Sequence, residues 1–511
     1  MSDKYAREAS IEKYDGYTPN GDVVDDIDIE KGNTHLPAYV TQPNGQLSKD
    51  DTITKVLEVN GFHRHKEKTA PGQTDADRVE YISEVTAHGE KKFHKLTWFQ
   101  LVIVLVITAV ALGTLSMPLV FASLGMVGGT ILTVGMGCMA VYTSFVIGQV
   151  KLRYPQVHHY SDVGRLLLPG TAGVILSRCL EVIFVFFIIL GIGSHFLTGK
   201  MAFQTIVDDT TICALVWSVV TLVLLFLCAL PPSFAEMSVL GYVDFISIMS
   251  AVFVTLIAAG IDAHSKGWNT GWTAGAGNVT FVQGMLAACN VLFAYAFSIG
   301  QFTYMEEMAR PEDFPKAVGV LGIVMITIYT CVGALGYAFI GPGVKGPALL
   351  SAGHTISRVA FGLALPVIFI SGAILVTTDG RFIMDKLFKN NIVRYVNTAR
   401  GWAVWICVVL GLVLCSWIIA EVIPVFSPLL GITAALFNSA FTLYLPGIMW
   451  FKLIKEGGCF SSPKNIALTI VNAIIIAVGL TILGAGTYAS VQDIVDSYAG
   501  KSVGKPFSCK A

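Results

Sequence analysis

The fold of this chain is decided by residues 101–124, which read LVIVLVITAVALGTLSMPLVFASL and contain no charged side chain. At 1.5 Å of rise per residue, a helix of this length spans about 36 Å, enough to cross the roughly 30 Å hydrocarbon core of a bilayer. Near its middle lie Gly113, which loosens a helix, and Pro118, which removes one backbone hydrogen bond. The stretch therefore predicts a membrane-spanning helix that is interrupted at mid-depth.

The same apolar pattern recurs along most of the 511 residues. The chain is 54% hydrophobic and 14% charged, with a mean hydropathy of +0.66, which is typical of an integral membrane protein rather than of soluble domains. We predict an all-α polytopic membrane protein with about 11 transmembrane helices, and we number these predicted segments as spans 1 to 11. Their limits are 97–124, 128–150, 172–199, 213–231, 243–262, 280–303, 317–340, 353–378, 401–422, 428–452 and 464–490.

Residues 1–92 form a separate polar region. Residues 1–95 hold 18 of the 35 acidic and 13 of the 34 basic side chains, and this composition predicts a disordered cytosolic tail. Within it, Ser48 and Asp51 could cap a short helix that docks a regulatory partner; a transient helix without a partner is the other interpretation. The predicted domains are this tail, a transporter domain at 93–490 and an extracellular C-terminal tail at 491–511.

Lysine and arginine are concentrated in the loops that follow even-numbered spans. Positive side chains are retained on the cytosolic side, so this bias predicts a cytosolic N-terminus and an extracellular C-terminus. The sequon at Asn278 then lies outside as a glycosylation candidate. Cys213 and Cys509 also fall outside, where a disulfide between them can form, although the sequence leaves this open.

A second interrupted segment lies in span 6, where ACNVLFAYAFSIGQ at 288–301 mixes polar and aromatic residues. Kinking and ordinary packing would explain either interruption alone. Spans 1 and 6, however, are the corresponding members of two five-helix halves, and paired interruptions of this kind indicate a carrier built from inverted repeats. The sequence thus predicts a binding site at mid-membrane between these spans.

Several short motifs resemble those of the amino acid/auxin permease family, and in particular its neutral amino acid permeases of filamentous fungi. These motifs are GTLSMP at 113–118, PPSFAE at 231–236, FAY at 293–295, EEM at 306–308, LLSAG at 349–353, AEVIP at 420–424 and PFSC at 506–509. The resemblance covers about residue 92 to the C-terminus. It implies an eleven-helix, 5+5 inverted-repeat fold of the LeuT-like type with broken helices 1 and 6, located in the plasma membrane. It also implies proton-driven uptake of neutral aliphatic and aromatic amino acids.

The resemblance and the interrupted spans together predict the substrate-binding residues. The resemblance implies that Gly113, Thr114 and Ser116 hold the carboxylate. It likewise implies that Phe293, Ala294 and Tyr295 hold the amine and side chain. The set is Gly113, Thr114, Leu115, Ser116, Asn290, Phe293, Ala294, Tyr295 and Phe297. Backbone dipoles at half-helix ends can stabilise a zwitterion without an intramembrane charge.

The coupling ion is less constrained by the sequence. His195 and Glu421 are candidate proton sites, and Ser371, Thr377 and Thr378 are candidate sodium ligands that could equally bond to their own helix. Glu236, Asp244 and Asp262 lie toward predicted helix ends, where a solvated role is expected. The expected partners are neutral L-amino acids, protons (with sodium as the alternative ion) and lipid, with no nucleic acid, cofactor or metal.

Three other classes of protein compete with a carrier. A channel would need charge rings or a repeated filter sequence in its spans, and an enzyme would need a nucleophile motif or a metal cluster; the sequence shows none of these. A membrane sensor that binds amino acids without moving them would have the same site, and a carrier of a related small solute coupled to sodium would have the same fold. These two remain the alternatives.

Overall fold

The computed structural model describes residues 96–209, 211–232, 234–388, 396, 398–500 and 503–509, without the side chains of residue 108 and residues 234–239. The predicted N-terminal tail and its docking helix lie outside the described residues. Within the described ranges the chain is almost entirely helical, with one isolated bridge between Leu96 and Met308. The prediction of an all-α fold is confirmed.

Nine helices in these ranges are long and apolar enough to cross a membrane, and two apolar helices are shorter. The nine are Ala109–Arg153, Gly170–Val207, Leu240–Ser265, Phe281–Glu306, Pro311–Gly343, His354–Leu387, Ala399–Val422, Phe426–Ile454 and Pro463–Ala499. The shorter two are Trp98–Ile107 and Ala214–Cys228. The last of the nine continues to Ala499, beyond the predicted limit of span 11 at residue 490.

A hairpin at Gly125 accounts for one of the two differences between the nine long helices and the eleven predicted spans. This residue has a φ of 77° and a ψ of 172°, and it separates two helical segments within Trp98–Arg153. A Cβ built on Gly129 would lie 2.7 Å from Cγ of Phe121, whereas eight residues of straight helix separate such positions by about 12 Å. The chain therefore folds back here, and spans 1 and 2 are separate. Span 4 is the other difference, because Ala214–Cys228 has only 15 residues.

Span 10 is largely π-helical. After the α-helical turns of Phe426–Thr433 it continues as π-helix over Ala434–Tyr444 and again over Trp450–Ile454. Wider turns of this kind are rare and often accompany functional sites. In this chain the π-helical stretch faces the interrupted part of span 6, as described below.

The two ends of the helical body are held differently. At one end a disulfide joins Cys213 to Cys509, and the Ala214 amide donates to the Cys509 carbonyl at 3.2 Å. At the other end Leu96, just before span 1, exchanges backbone hydrogen bonds with Glu307 and Ala309, just after span 6. We call these the disulfide end and the opposite end.

Candidate substrate site

The interruption in span 1 lies at Ala111, whose φ of −51° and ψ of −122° are not helical. Its position is two residues before Gly113, while Pro118 is accommodated within the helix that follows. The Thr114 hydroxyl donates to the Val110 carbonyl at 2.5 Å, and the Ser116 hydroxyl donates to the Gly113 carbonyl at 2.8 Å. Both hydroxyls therefore stabilise the backbone on either side of the break.

The interruption in span 6 follows Ala294. The helix Phe281–Ala294 ends there, one 3-10 turn covers Ala296–Ser298, and the helix resumes at Gln301–Glu306. The prediction that spans 1 and 6 are broken is thus confirmed, and residues 295–300 form the break in span 6.

The two broken helices touch at Gly113 and Ala294. A Cβ built on Gly113 would lie 2.8 Å from the Ala294 Cα and 2.9 Å from its Cβ, so only glycine allows this approach. The structure therefore brings two of the predicted substrate residues into direct contact. We call this contact the crossing.

Tyr329 of span 7 connects the two breaks. Its hydroxyl lies 2.7 Å from the carbonyl oxygen of Ala109 and 2.9 Å from that of Ala294, so it donates toward the carbonyls of both broken helices. The side chain is fully buried. Sequence reasoning missed Tyr329 because nothing in span 7 marks it as different from a packing aromatic.

A buried polar network joins span 6 to span 10. The Asn438 amide donates to the Leu292 carbonyl at 2.5 Å, and Thr442 donates to Asn438 Oδ1 and shares a 2.6 Å hydrogen bond with Ser298. These groups satisfy backbone that the break in span 6 leaves free. Asn438 and Thr442 were also missed, although the polar run NSAFT at 438–442 inside an apolar span was an available signal.

The remaining predicted substrate residues surround the crossing at different depths. Leu115 is buried and Phe293 is half-buried. Asn290 donates to the Ser427 hydroxyl at 2.6 Å, and its own Oδ1 has no partner in the described part of the chain. The Tyr295 hydroxyl donates to the Thr133 carbonyl at 3.1 Å, and the Phe297 ring packs edge-on against Tyr295.

Open space lies beside span 1. A cleft of about 270 Å³, counting the part open to solvent, is bounded by span 1, span 5, span 7 and the loop after span 7. Its lining consists of Thr114, Leu115, Pro118, Val252, Thr255, Leu256, Val332, Gly336, Ile340, Ala348 and Leu349. Two predicted substrate residues, Thr114 and Leu115, therefore border both the crossing and this cleft.

The candidate proton sites have hydrogen-bond partners on elements other than spans 1 and 6. His195 is buried in span 3, with Nδ1 3.0 Å from the Ile368 carbonyl oxygen of span 8. Glu421 is buried near the disulfide end, where Lys200 donates to it at 2.9 Å and the Ser218 hydroxyl at 2.5 Å.

The candidate sodium ligands do not form one cluster. Ser371 donates to the Asp244 carboxylate at 2.8 Å, and Thr378 donates to the carbonyl of Ile374 in its own helix at 2.7 Å. Seven residues of helix separate these two hydroxyls by about 10 Å, too far to share one ion. The Thr377 hydroxyl is buried without a partner among the described residues.

Two of the remaining acidic residues have opposite surroundings. The expectation that Asp244 is solvated is wrong, since this side chain is completely buried against Ser371 in span 8. Asp262 is exposed and forms an ion pair with Lys266 at 2.6 Å, as a helix-end residue should. Asn278 is exposed in the loop before span 6, and the side chain of Glu236 is outside the described set.

Comparison with known proteins identifies the family of the chain. A family model described as transmembrane amino acid transporter protein matches residues 94–492. The N amino acid transport system protein of Neurospora crassa is 46% identical over 429 residues, which cover 82% of this chain and 90% of that protein. An amino acid transporter of Arabidopsis thaliana is 22% identical over 437 residues, covering 76% of this chain and 92% of the plant protein.

Among solved structures, the chain is similar to a nucleobase-cation-symport-1 family transporter in a closed conformation. The TM-score is 0.45 at 12% identity, over 80% of this chain and 93% of that one. The family model covers every helix described above up to residue 492, including both broken spans. On this match and on the identity to the Neurospora protein, the chain belongs to the transmembrane amino acid transporter family.

Proposed function

We propose that the protein is a secondary active transporter that takes up neutral aliphatic and aromatic amino acids together with protons, by alternating access around the crossing of spans 1 and 6. Family membership supports amino acids as the cargo. The Neurospora relative is named for amino acid transport, which agrees with this cargo class.

The absence of charge around the crossing is the observation that carries the choice of neutral substrates. Residues 101–150 and 281–305, which include both broken helices, contain no Asp, Glu, Lys or Arg. A zwitterion can be held there by backbone dipoles and hydroxyls, whereas a net charge on the substrate side chain would lack a counter-charge and cost several kcal/mol. The predicted residues Gly113, Thr114, Ser116, Phe293 and Ala294 are our proposed contacts.

The proposed orientation follows the positive-inside bias. The opposite end, with Lys151 and Glu306 paired beside it, would then face the cytosol, and the disulfide end would face the outside of the plasma membrane. A disulfide is stable in that oxidising compartment, which agrees with this assignment.

Uptake measurements test the proposal directly. In a permease-deficient cell expressing the protein, labelled leucine or phenylalanine uptake should be competed by neutral amino acids but not by lysine or glutamate. Uptake should rise as the external pH is lowered and should collapse with a protonophore. Binding without uptake would support the sensor, and uptake that ignores a protonophore but requires sodium would support the sodium-coupled carrier.

A further inference from the structure

The helix of span 8, His354–Leu387, contains a buried carboxyl group that has no hydrogen-bond partner in the described part of the chain. Asp379 has no exposed surface, and neither of its carboxyl oxygens has a hydrogen-bond partner among the described residues. An ionised carboxylate in such a place would cost several kcal/mol without a counter-ion. Asp379 therefore holds its proton in this conformation.

The position of Asp379 follows from the antiparallel packing of spans 3 and 8. Four contacts along the two helices share one register, in which paired residue numbers add to 566 or 567. They are Lys386 with Glu181 at 2.7 Å, the rings of Phe382 and Phe184 at 4.7 Å, a Cβ built on Gly191 with Leu375 at 3.4 Å, and a Cβ built on Gly372 with the His195 Cβ at 3.3 Å. This register places Asp379 opposite Phe187 and Ile188, both of which are buried.

The surroundings on the two sides of Asp379 differ. Toward the opposite end lies a group of aromatic rings in mutual contact, formed by Tyr160, Phe184, Phe187, Phe382 and Phe441. Beyond these rings Lys386 pairs with Glu181, which also accepts from Arg178. The aromatic group thus separates the buried carboxyl from a charged cluster near the surface.

On the other side, seven residues back along span 8, Gly372 packs against His195 of span 3. Seven residues are almost two helical turns, so Asp379 and Gly372 lie on one face of span 8. Asp379 is therefore buried between His195 and the Glu181 pair, along one helix interface.

The ionisable groups that the structure describes on neighbouring elements contact other partners. Span 3 presents His195, bonded to Ile368, and Glu181, paired with Lys386; span 5 presents Asp244, bonded to Ser371; span 9 presents Glu421, paired with Lys200. Within span 8, Arg381 donates to the Pro232 carbonyl and lies over the Trp405 ring. Arg400 at the start of span 9 and Asp385 have contacts of their own, and span 4 has no charged side chain.

Resting on the proposed proton-driven uptake, we propose that Asp379 carries the coupling proton. The carboxylate takes a proton from a hydronium ion on the side of higher proton concentration, so that one O–H bond of the hydronium breaks, the carboxyl O–H bond forms and water is released. The neutral carboxyl group then stays buried between spans 3 and 8, as in this structure, while the carrier changes conformation. When spans 3 and 8 open to the other side, the O–H bond breaks and water accepts the proton, leaving the carboxylate.

The test separates proton coupling from substrate movement. Asp379→Asn imitates the protonated acid permanently, so it should move amino acid but not use a pH difference. Labelled leucine is added outside membrane vesicles that have an imposed pH difference of one unit. A carrier that moves one proton per substrate can sustain about a tenfold ratio of internal to external leucine. The matched control is Asp262→Asn, since Asp262 is exposed and paired with Lys266. Leucine exchange without a pH difference is measured in parallel.

We expect wild type and Asp262→Asn to accumulate leucine. Asp379→Asn should reach an internal-to-external leucine ratio of about one while keeping exchange within about twofold of wild type. Asp379→Glu should restore accumulation. Accumulation by Asp379→Asn at the wild-type ratio would overturn the proposal. So would loss of both accumulation and exchange in the Asn and Glu variants, or uncoupling in Asp244→Asn instead. A wild-type protein without any response to the pH difference would refute the proposed function itself, which the first three outcomes leave intact.

Discussion

The crossing of spans 1 and 6 and the buried cluster near the disulfide end are built from different chemistry. The crossing has no charged side chain; glycine, alanine and a tyrosine hydroxyl bring backbone carbonyls together. The cluster consists of a buried Lys200–Glu421 ion pair that Ser218 completes, with the Trp417 indole donating to Ser218 at 2.8 Å. Both regions are buried, and the crossing is the one that we propose to accept a zwitterion.

Because of this difference, we expect substitutions in one region to affect mainly transport and substitutions in the other to affect mainly stability. A carrier needs a contact that can open, and the crossing depends on close van der Waals approach and on single hydrogen bonds of about 1 kcal/mol each. The cluster depends on a paired charge whose loss leaves its partner buried and unpaired, at a much larger cost. We therefore expect changes in the cluster to lower stability most, and changes at the crossing to lower transport at nearly normal stability.

The largest effect is expected for Glu421→Ala. Removing this carboxylate leaves Lys200 buried without a counter-charge, which should lower the free energy of unfolding by about 3–5 kcal/mol. Thermal unfolding of the detergent-solubilised protein measures it. Asp262→Ala, which breaks an exposed pair, is the matched control and should change stability by about 0–1 kcal/mol.

A double variant, Lys200→Met with Glu421→Leu, sharpens the result. Because both charges are then gone, most of the lost stability should return. If the double variant were as unstable as Glu421→Ala, packing rather than charge would explain the effect.

Loss of the disulfide should have the next largest effect. Cys213 and Cys509 are 296 residues apart in sequence, and Cys509→Ser frees the C-terminal segment whose Phe507 ring packs on Trp417. We expect a loss of about 2–4 kcal/mol by thermal unfolding, and no further loss when reductant is added. Cys331→Ser, at an unpaired cysteine, should leave stability unchanged.

The same variant tests the proposed orientation. In Cys509→Ser the Cys213 thiol becomes free, so a membrane-impermeant maleimide applied to intact cells should label it if the disulfide end faces outside. Labelling that requires permeabilised cells would reverse the orientation.

The contrast between the two regions also shows what the sequence could predict. Local signals sufficed for the helices and for the breaks, because apolar length and the residues around Gly113 and Phe293 act within one span. They failed for partners on distant spans. Tyr329 and Asn438 have hydrogen-bond partners 35 to 220 residues away in the chain, and Asp379 of span 8 is buried against span 3.

The errors have the same origin. Asp244 was expected to be solvated because it lies near a predicted helix end, but span 5 begins earlier and Ser371 of span 8 covers it. The ion pair of Glu421 with Lys200 was not foreseen because these residues are 221 positions apart. The disulfide remained open until the fold brought both cysteines to one end.

At the crossing, Gly113→Val should reduce transport more than stability. The added side chain would enter the space of the Ala294 backbone, which cannot rotate away, and overpacking of this kind costs about 1–3 kcal/mol. We expect leucine uptake to fall at least about tenfold at normal surface expression. Gly135→Val is the matched control, since nothing lies within 4 Å of a Cβ at that helical glycine of span 2. Equal uptake by both variants would show that the crossing is not the transport site.

The smallest effect is expected for Tyr329→Phe. The ring keeps its edge-on packing against Tyr295, while the carbonyls of Ala109 and Ala294 lose their shared donor. Leaving one such pair unsatisfied costs about 1–2 kcal/mol. If the Tyr329 hydroxyl only stabilises the fold, its loss lowers the melting temperature and leaves leucine uptake per surface molecule unchanged. If Tyr329 holds the two breaks in register for substrate, the KM for leucine rises about fivefold or more while Tyr488→Phe, at an exposed tyrosine, stays at wild type. We expect the second result, since the hydroxyl contacts both broken helices where they meet.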